Sequence, residues 1–185
     1  MGRVVGDRNI LDEFCVEFCS IIERHIEYVV CSGFVAISSG RVRATEDIDM
    51  IIPRLEKNTF TKVHQDLIDN GFICIQSDDV ETVYAYLADN ASVRYTWRDR
   101  PLPEMEVKLT KDYLDEIQLK GKTKLPLTGL GIWFNEVEMN VAFKEELLTS
   151  EKDIKDAEHL RKVYEENLDE AKIEEYKDRS EEHTS

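Results

Sequence analysis

Between residues 9 and 26, apolar side chains recur at spacings of three and four: Ile10, Leu11, Phe14, Cys15, Phe18, Ile21, Ile22 and Ile26. That period predicts a helix laid against a core, with Asn9 in the capping position. The pattern then tightens to a continuous apolar run over 28–31, which predicts a buried strand, and Ser32-Gly33 supplies a turn. Residues 34–39 read as one or two helical turns ended by Gly40. Asp47–Ile52 reads as a second strand stopped by Pro53. Residues 58–70 form a helix with Phe60, Val63, Leu67 and Ile68 on one face, and 72–76 a short strand or linker.

Asp78 or Asp79 caps a further helix that ends at Ala88. Alternation over 92–97 and over Glu104–Leu109, around the loop RDRPLP, predicts an antiparallel pair. Residues 111–119 suggest a short helix, and 122–127 and 130–134 two more strands around Thr128-Gly129. From Glu136 the period is helical. Ser150, with Asp153 three residues on, resembles a capping box and opens a new helix. A last helix covers 168–176. Residues 177–185 lack apolar content and read as a frayed tail. The order, a mixed sheet followed by helices, predicts an α+β chain in one domain over 1–185, with a core at 9–134 and C-terminal helices at 136–176.

The chain has 185 residues and a formal net charge of -15. So acidic a surface disfavours non-specific nucleic-acid binding and anionic membranes, leaving only a local basic patch for RNA. No apolar run approaches a membrane span, and no leader-like segment opens the sequence. Cys15, Cys19, Cys31 and Cys74 lie in apolar patterns without zinc-ligand spacing. They read as small core thiols in a reducing compartment, and the expected location is cytoplasmic.

The candidate chemistry lies in the stretch from Tyr28 to Pro53. Asp47 and Asp49 stand two apart on a strand and share a face, where they repel each other unless a divalent cation sits between them. Magnesium favours a few carboxylates plus substrate oxygens, so a third acid from a neighbouring strand fits. Glu104 and Glu106 alternate in phase, opposite Val107 and Leu109; Glu106 is preferred because it lies deeper in its strand. The Ser32-Gly33 turn would present backbone N–H groups to phosphate. Arg41 and Arg43 could pair with phosphate or with the acids. Trp97 and Trp133 read as core or sheet-edge aromatics.

In order and spacing, Ser32-Gly33, Gly40-Arg41, Arg43, Thr45, Asp47 and Asp49 resemble the signature of the nucleotidyltransferase superfamily. The stretch is most similar to the minimal prokaryotic nucleotidyltransferases that include AbiEii-like type IV toxin–antitoxin proteins. Lys144 matches a helical lysine of that family, and Lys152, Asp153 and Asp156 match its Lys-Asp-x-x-Asp pattern. The resemblance runs from Tyr28 to Leu160. It implies an NTP as donor, Mg2+ or Mn2+ at Asp47, Asp49 and Glu106, and phosphate contacts from Ser32, Gly33, Arg41, Arg43, Lys144 and Lys152. The acceptor would be a hydroxyl on RNA, protein or a small molecule, and a cognate antitoxin or toxin is a further expected partner. Phe34 stands where the Gly-Ser form carries serine, and Glu106 stands where the usual third acid is aspartate. The alternative is a catalytically weak or inactive module of the same fold that works by protein interaction, through its acidic C-terminal helices.

Overall fold

The structure is a computed structural model that describes residues 9–184. A seven-stranded mixed sheet carries the molecule, in the order β3-β4-β5-β2-β1-β7-β6. Its strands are β1 (Val29–Cys31), β2 (Asp47–Ile52), β3 (Phe72–Cys74), β4 (Val93–Trp97), β5 (Glu104–Leu109), β6 (Lys122–Lys124) and β7 (Trp133–Asn135). At the centre β2 pairs antiparallel with β1 and parallel with β5. As expected, β4 and β5 form an antiparallel pair.

Helix α1 (Ile10–Ile22) begins in a reciprocal cap, with Asp12 N donating to Asn9 Oδ1 and Asn9 N to Asp12 Oδ2, both at 3.0 Å. Two of the four N–H groups that a helix start leaves unpaired are thereby accounted for. Its Phe14 and Phe18 pack on Phe72 of β3, and Phe14 meets Trp97 edge-on at 5.0 Å. The same sheet face takes Ile48, Met50 and Ile52 from β2 and Met105, Val107 and Leu109 from β5 into the main core. Helices α3 (Lys57–Asp69) and α4 (Val80–Ala88, capped by Asp79) follow their predicted positions. On the opposite face Val29, Cys31 and Ile51 form a small apolar cluster with Leu119 from α5 (Tyr113–Lys120). That face is left open enough to hold a site.

Three expectations change. The segments 122–127 and 130–134 shrink to β6 and β7, because Pro126 opens a 3-10 turn and Gly129 and Gly131 adopt positive φ angles of 67° and 64°. The helix α6 (Val137–Phe143) does not stop cleanly but widens into a π-helical turn, Lys144–Leu148. After α7 (Glu151–Val163), whose cap Ser150 accepts from Asp153 N, comes α8 (Glu170–Thr184). Helix α8 therefore runs through the stretch read as frayed, apart from Ser185, which lies outside the described residues. Ile173, Tyr176 and Ser180 form its buried stripe, Lys177 pairs with Glu145 at 2.8 Å, and His183 packs on Tyr113. A serine and a lysine hold this end, so apolar periodicity could not reveal it.

Candidate functional site

The site grows from strand register. In the parallel β2–β5 ladder, Asp47 stands opposite Glu104 and Asp49 opposite Glu106. Side chains two apart share a face, and paired strands lie about 4.8 Å apart, so four carboxylates crowd one patch of the open sheet face. Burial pushes the Asp49 carboxyl up from its usual range, and the charges of Glu106 and Asp47 add to this, while a hydrogen bond from Ser32 opposes it. Glu104 is pushed up by burial and by Asp47. On the far side of β5, Arg94 of β4 stands opposite Glu106. Ser92 Oγ donates to Glu106 Oε1 at 2.7 Å, and Arg94 Nη2 reaches Oε2 at 3.4 Å. Arg94 Nη1 lies 3.6 Å from Glu104 Oε2.

This donor set suits a hard divalent cation, since all the candidate ligands are carboxylate oxygens and their mutual repulsion is what a cation would relieve. Among the described residues no group of three His, Cys, Asp or Glu is drawn together as a preassembled cage. Magnesium tolerates that arrangement, because water and phosphate oxygens commonly complete its shell.

The turn beside the ladder has a second constraint. Ser32 sits at φ 62°, and Gly33 opens the short helix α2 (Gly33–Ser38). A Cβ on Gly33 would stand 2.0 Å from Arg43 Nη2, so any side chain there would force the guanidinium to move. Phe34 is buried and stacks on Phe134 with centroids 6.4 Å apart. Its side chain thus belongs to the core, and Ser32 is the hydroxyl left at the turn.

Arg43 reaches Gly33 because Asp156 holds it there. Asp156 of α7 is fully buried and accepts from Arg43 Nε and Nη2 at 3.1 Å each, from Lys144 Nζ at 3.0 Å, and from Arg41. Lys144 also donates to Asp153 Oδ1 at 3.1 Å. Burial works against charge on Asp153, but hydrogen bonds from Ser150 and Lys144 outweigh it and hold its carboxyl below the usual range. Arg41, Arg43 and Lys144 are therefore brought together around Asp156 rather than around the ladder. Lys152 stands exposed in the first turn of α7.

Asp49, Glu106, Ser32 and Lys144 line one cleft of about 370 Å3 beneath α5 and α6. Four further residues in its wall escaped sequence reasoning: Lys108, Gln118, Asn135 and Asn140. Lys108 donates to Asp115 at 2.7 Å. Its position was legible, because it continues the alternation of Glu104 and Glu106. Asn140 Nδ2 donates to Ser32 O at 3.2 Å and to Asn135 Oδ1 at 3.3 Å, a contact that only the fold could reveal.

This sheet order, with the acidic β2–β5 pair at its centre and helices on its flanks, makes the fold nucleotidyltransferase-like. The crystal structure of ANT(2'')-Ia in complex with adenylyl-2''-tobramycin is similar at a TM-score of 0.58, covering 96% of this chain and 100% of its own at 13% identity. The solution structure of the antibiotic-resistance factor ANT(2'')-Ia also gives 0.58, over 94% of this chain and 92% of its own at 11% identity. An antigenic nucleotidyltransferase-like protein from Paracoccidioides brasiliensis gives 0.54, over 93% and 87% at 15% identity. At such identities the likeness is one of fold. No protein-family model matches the sequence, and comparison with curated proteins gives no match.

Proposed function

We propose that the chain is a metal-dependent nucleotidyltransferase that moves a nucleoside monophosphate from an NTP to a hydroxyl. The observation that carries this reading is the register of β2 against β5, which sets Asp47 and Asp49 beside Glu104 and Glu106, with Asp49 and Glu106 lining a cleft. Asp47, Asp49 and Glu106 would hold Mg2+ or Mn2+. When bound, the metal neutralises phosphate oxygens and favours loss of the acceptor's proton. Ser32 and the backbone of Gly33 face the triphosphate in this reading, with Lys144 in the cleft wall and Lys152 at the rim. Arg41 and Arg43 serve from behind, fixing the turn through Asp156. The acceptor oxygen bonds to the α-phosphorus, the α–β bridging P–O bond breaks, and pyrophosphate leaves. Glu106 takes the acceptor's proton.

The test is incubation with each labelled NTP and a divalent metal, offering total tRNA, a lysate or a panel of small polyols and aminoglycosides. Label should move to one acceptor class and cease to move in Asp49→Asn. No transfer from any nucleotide, together with no Mn2+ binding by calorimetry, would refute the proposal.

A second reading is an interaction module of the same fold, as one half of a type IV toxin–antitoxin pair. It is favoured by the internal engagement of the site: both oxygens of Glu106 are taken by Ser92 and Arg94, and Arg41, Arg43 and Lys144 all donate to Asp156. Partner binding and phenotype that survive Asp49→Asn would select it.

A further inference from the structure

Arg94 has no part in the residue pattern that pointed to the carboxylates, yet it is the cation that reaches them. Its two terminal nitrogens diverge, Nη2 to Glu106 at 3.4 Å and Nη1 to Glu104 at 3.6 Å. Its backbone is pinned, with Arg94 N donating to Gln76 Oε1 at 2.7 Å and β4 paired to β5 at this rung. Its side chain is 43% exposed, and both contacts are longer than a tight charge-assisted bond. Ser92, by contrast, grips the other Glu106 oxygen at 2.7 Å. The firm contact therefore orients the carboxylate, and the loose one only balances its charge. Facing Asp47, Asp49, Glu104 and Glu106, Arg94 offsets one negative charge of four, and Lys108, next on the same face of β5, is itself committed to Asp115, so the patch stays negative.

We infer that Arg94 is a charge-balancing residue that stands in for the metal: its guanidinium offsets Glu104 and Glu106 until a divalent cation arrives, and the cation must displace it. This rests on the nucleotidyltransferase reading of the same carboxylates. Two charges repelling one across about 5 Å of water weaken binding roughly tenfold, so a cation drawn to Glu106 would have to overcome the guanidinium beside it. The guanidinium thereby raises the metal concentration at which the site fills. Ser92, which carries no charge, keeps Glu106 aimed at the cleft in both states.

The experiment is Mn2+ titration of the purified chain by calorimetry, with Arg94→Gln and Arg94→Lys beside the wild type and thermal melts to confirm folding. Arg94→Gln should bind Mn2+ roughly tenfold more tightly, and Arg94→Lys, which keeps the charge, should stay near wild type. Unchanged or weaker binding in Arg94→Gln overturns the inference, as does a Lys variant that binds as tightly as the Gln variant. If the wild type binds and Arg94→Gln is no tighter, only this inference fails. If neither binds, the metal-dependent reading fails with it.

Discussion

Replacing Asp156 with Asn tests the physical account most directly. Asp156 has no exposed surface, and Lys144 beside it is 1% exposed, so neither can fall back on water. Arg41 and Arg43 are only 16% and 13% exposed. The wild-type cluster sets three cations against two carboxylates, Asp153 and Asp156. Asparagine keeps the shape but removes one negative charge, leaving three cations to share Asp153, which accepts from Lys144 and Ser150 but from neither arginine. The uncompensated charge falls on the two arginines. Breaking a buried pair in this way costs about 3–5 kcal/mol. For a chain of this size that lowers Tm by about 6–20 °C. Calorimetry or far-UV melts at neutral pH measure it. Arg43→Gln should then cost less in the Asp156→Asn background than alone, with a coupling of about 1 kcal/mol or more. A Tm change under about 3 °C, or additivity of the two substitutions, would refute the view that this cluster holds α7 to the loop after α2.

Asp49→Asn should abolish label transfer by at least about 100-fold while making the protein more stable at pH 7. Because the folded Asp49 carboxyl is raised above its ordinary value near 3.9, the cost of ionising it is absent below that pH and fully present above the folded value. The stability gain should therefore vanish in acid melts, and a destabilised Asn variant at pH 7 would contradict the reasoning. Gly33→Ala should cost about 1–3 kcal/mol through the clash with Arg43, and become tolerated when Arg43→Gln is made first; equal cost in both backgrounds would count against the contact. Truncation after Tyr176 should destabilise by about 1–3 kcal/mol by removing Ser180 from its buried place and breaking the Lys177–Glu145 pair. An unchanged melt would show that the end of α8 contributes nothing.

Much of the fold was legible because helix and strand periods are local. The bounds of β2 and β5 emerge from alternation alone, and Asn9, Asp79 and Ser150 act as the caps their chemistry suggests. Pairing was less accessible. Nothing in the local pattern says that Asp49 meets Glu106 across a parallel ladder, although the preference for an acid deep in β5 pointed to that rung. The site was hardest to read where a residue's partner lies far along the chain. Arg41, Arg43 and Lys144 look like phosphate ligands by type, but Asp156, more than a hundred residues after the arginines, claims them in the fold. Phe34 looked like a missing serine until its stacking on Phe134 gave it a core role.

The sharing of Asp156 has an evolutionary consequence. One acid answers to two arginines of the loop after α2, one of them packed on Gly33, and to a lysine at a helix end, so position 156 cannot drift alone. Losing the acid strands its cations where little water reaches. The acid should outlast any one of its cations, and Gly33 should vary most freely where Arg43 is gone. A lineage could let Asp47 and Asp49 vary freely and would still be obliged to keep that acid.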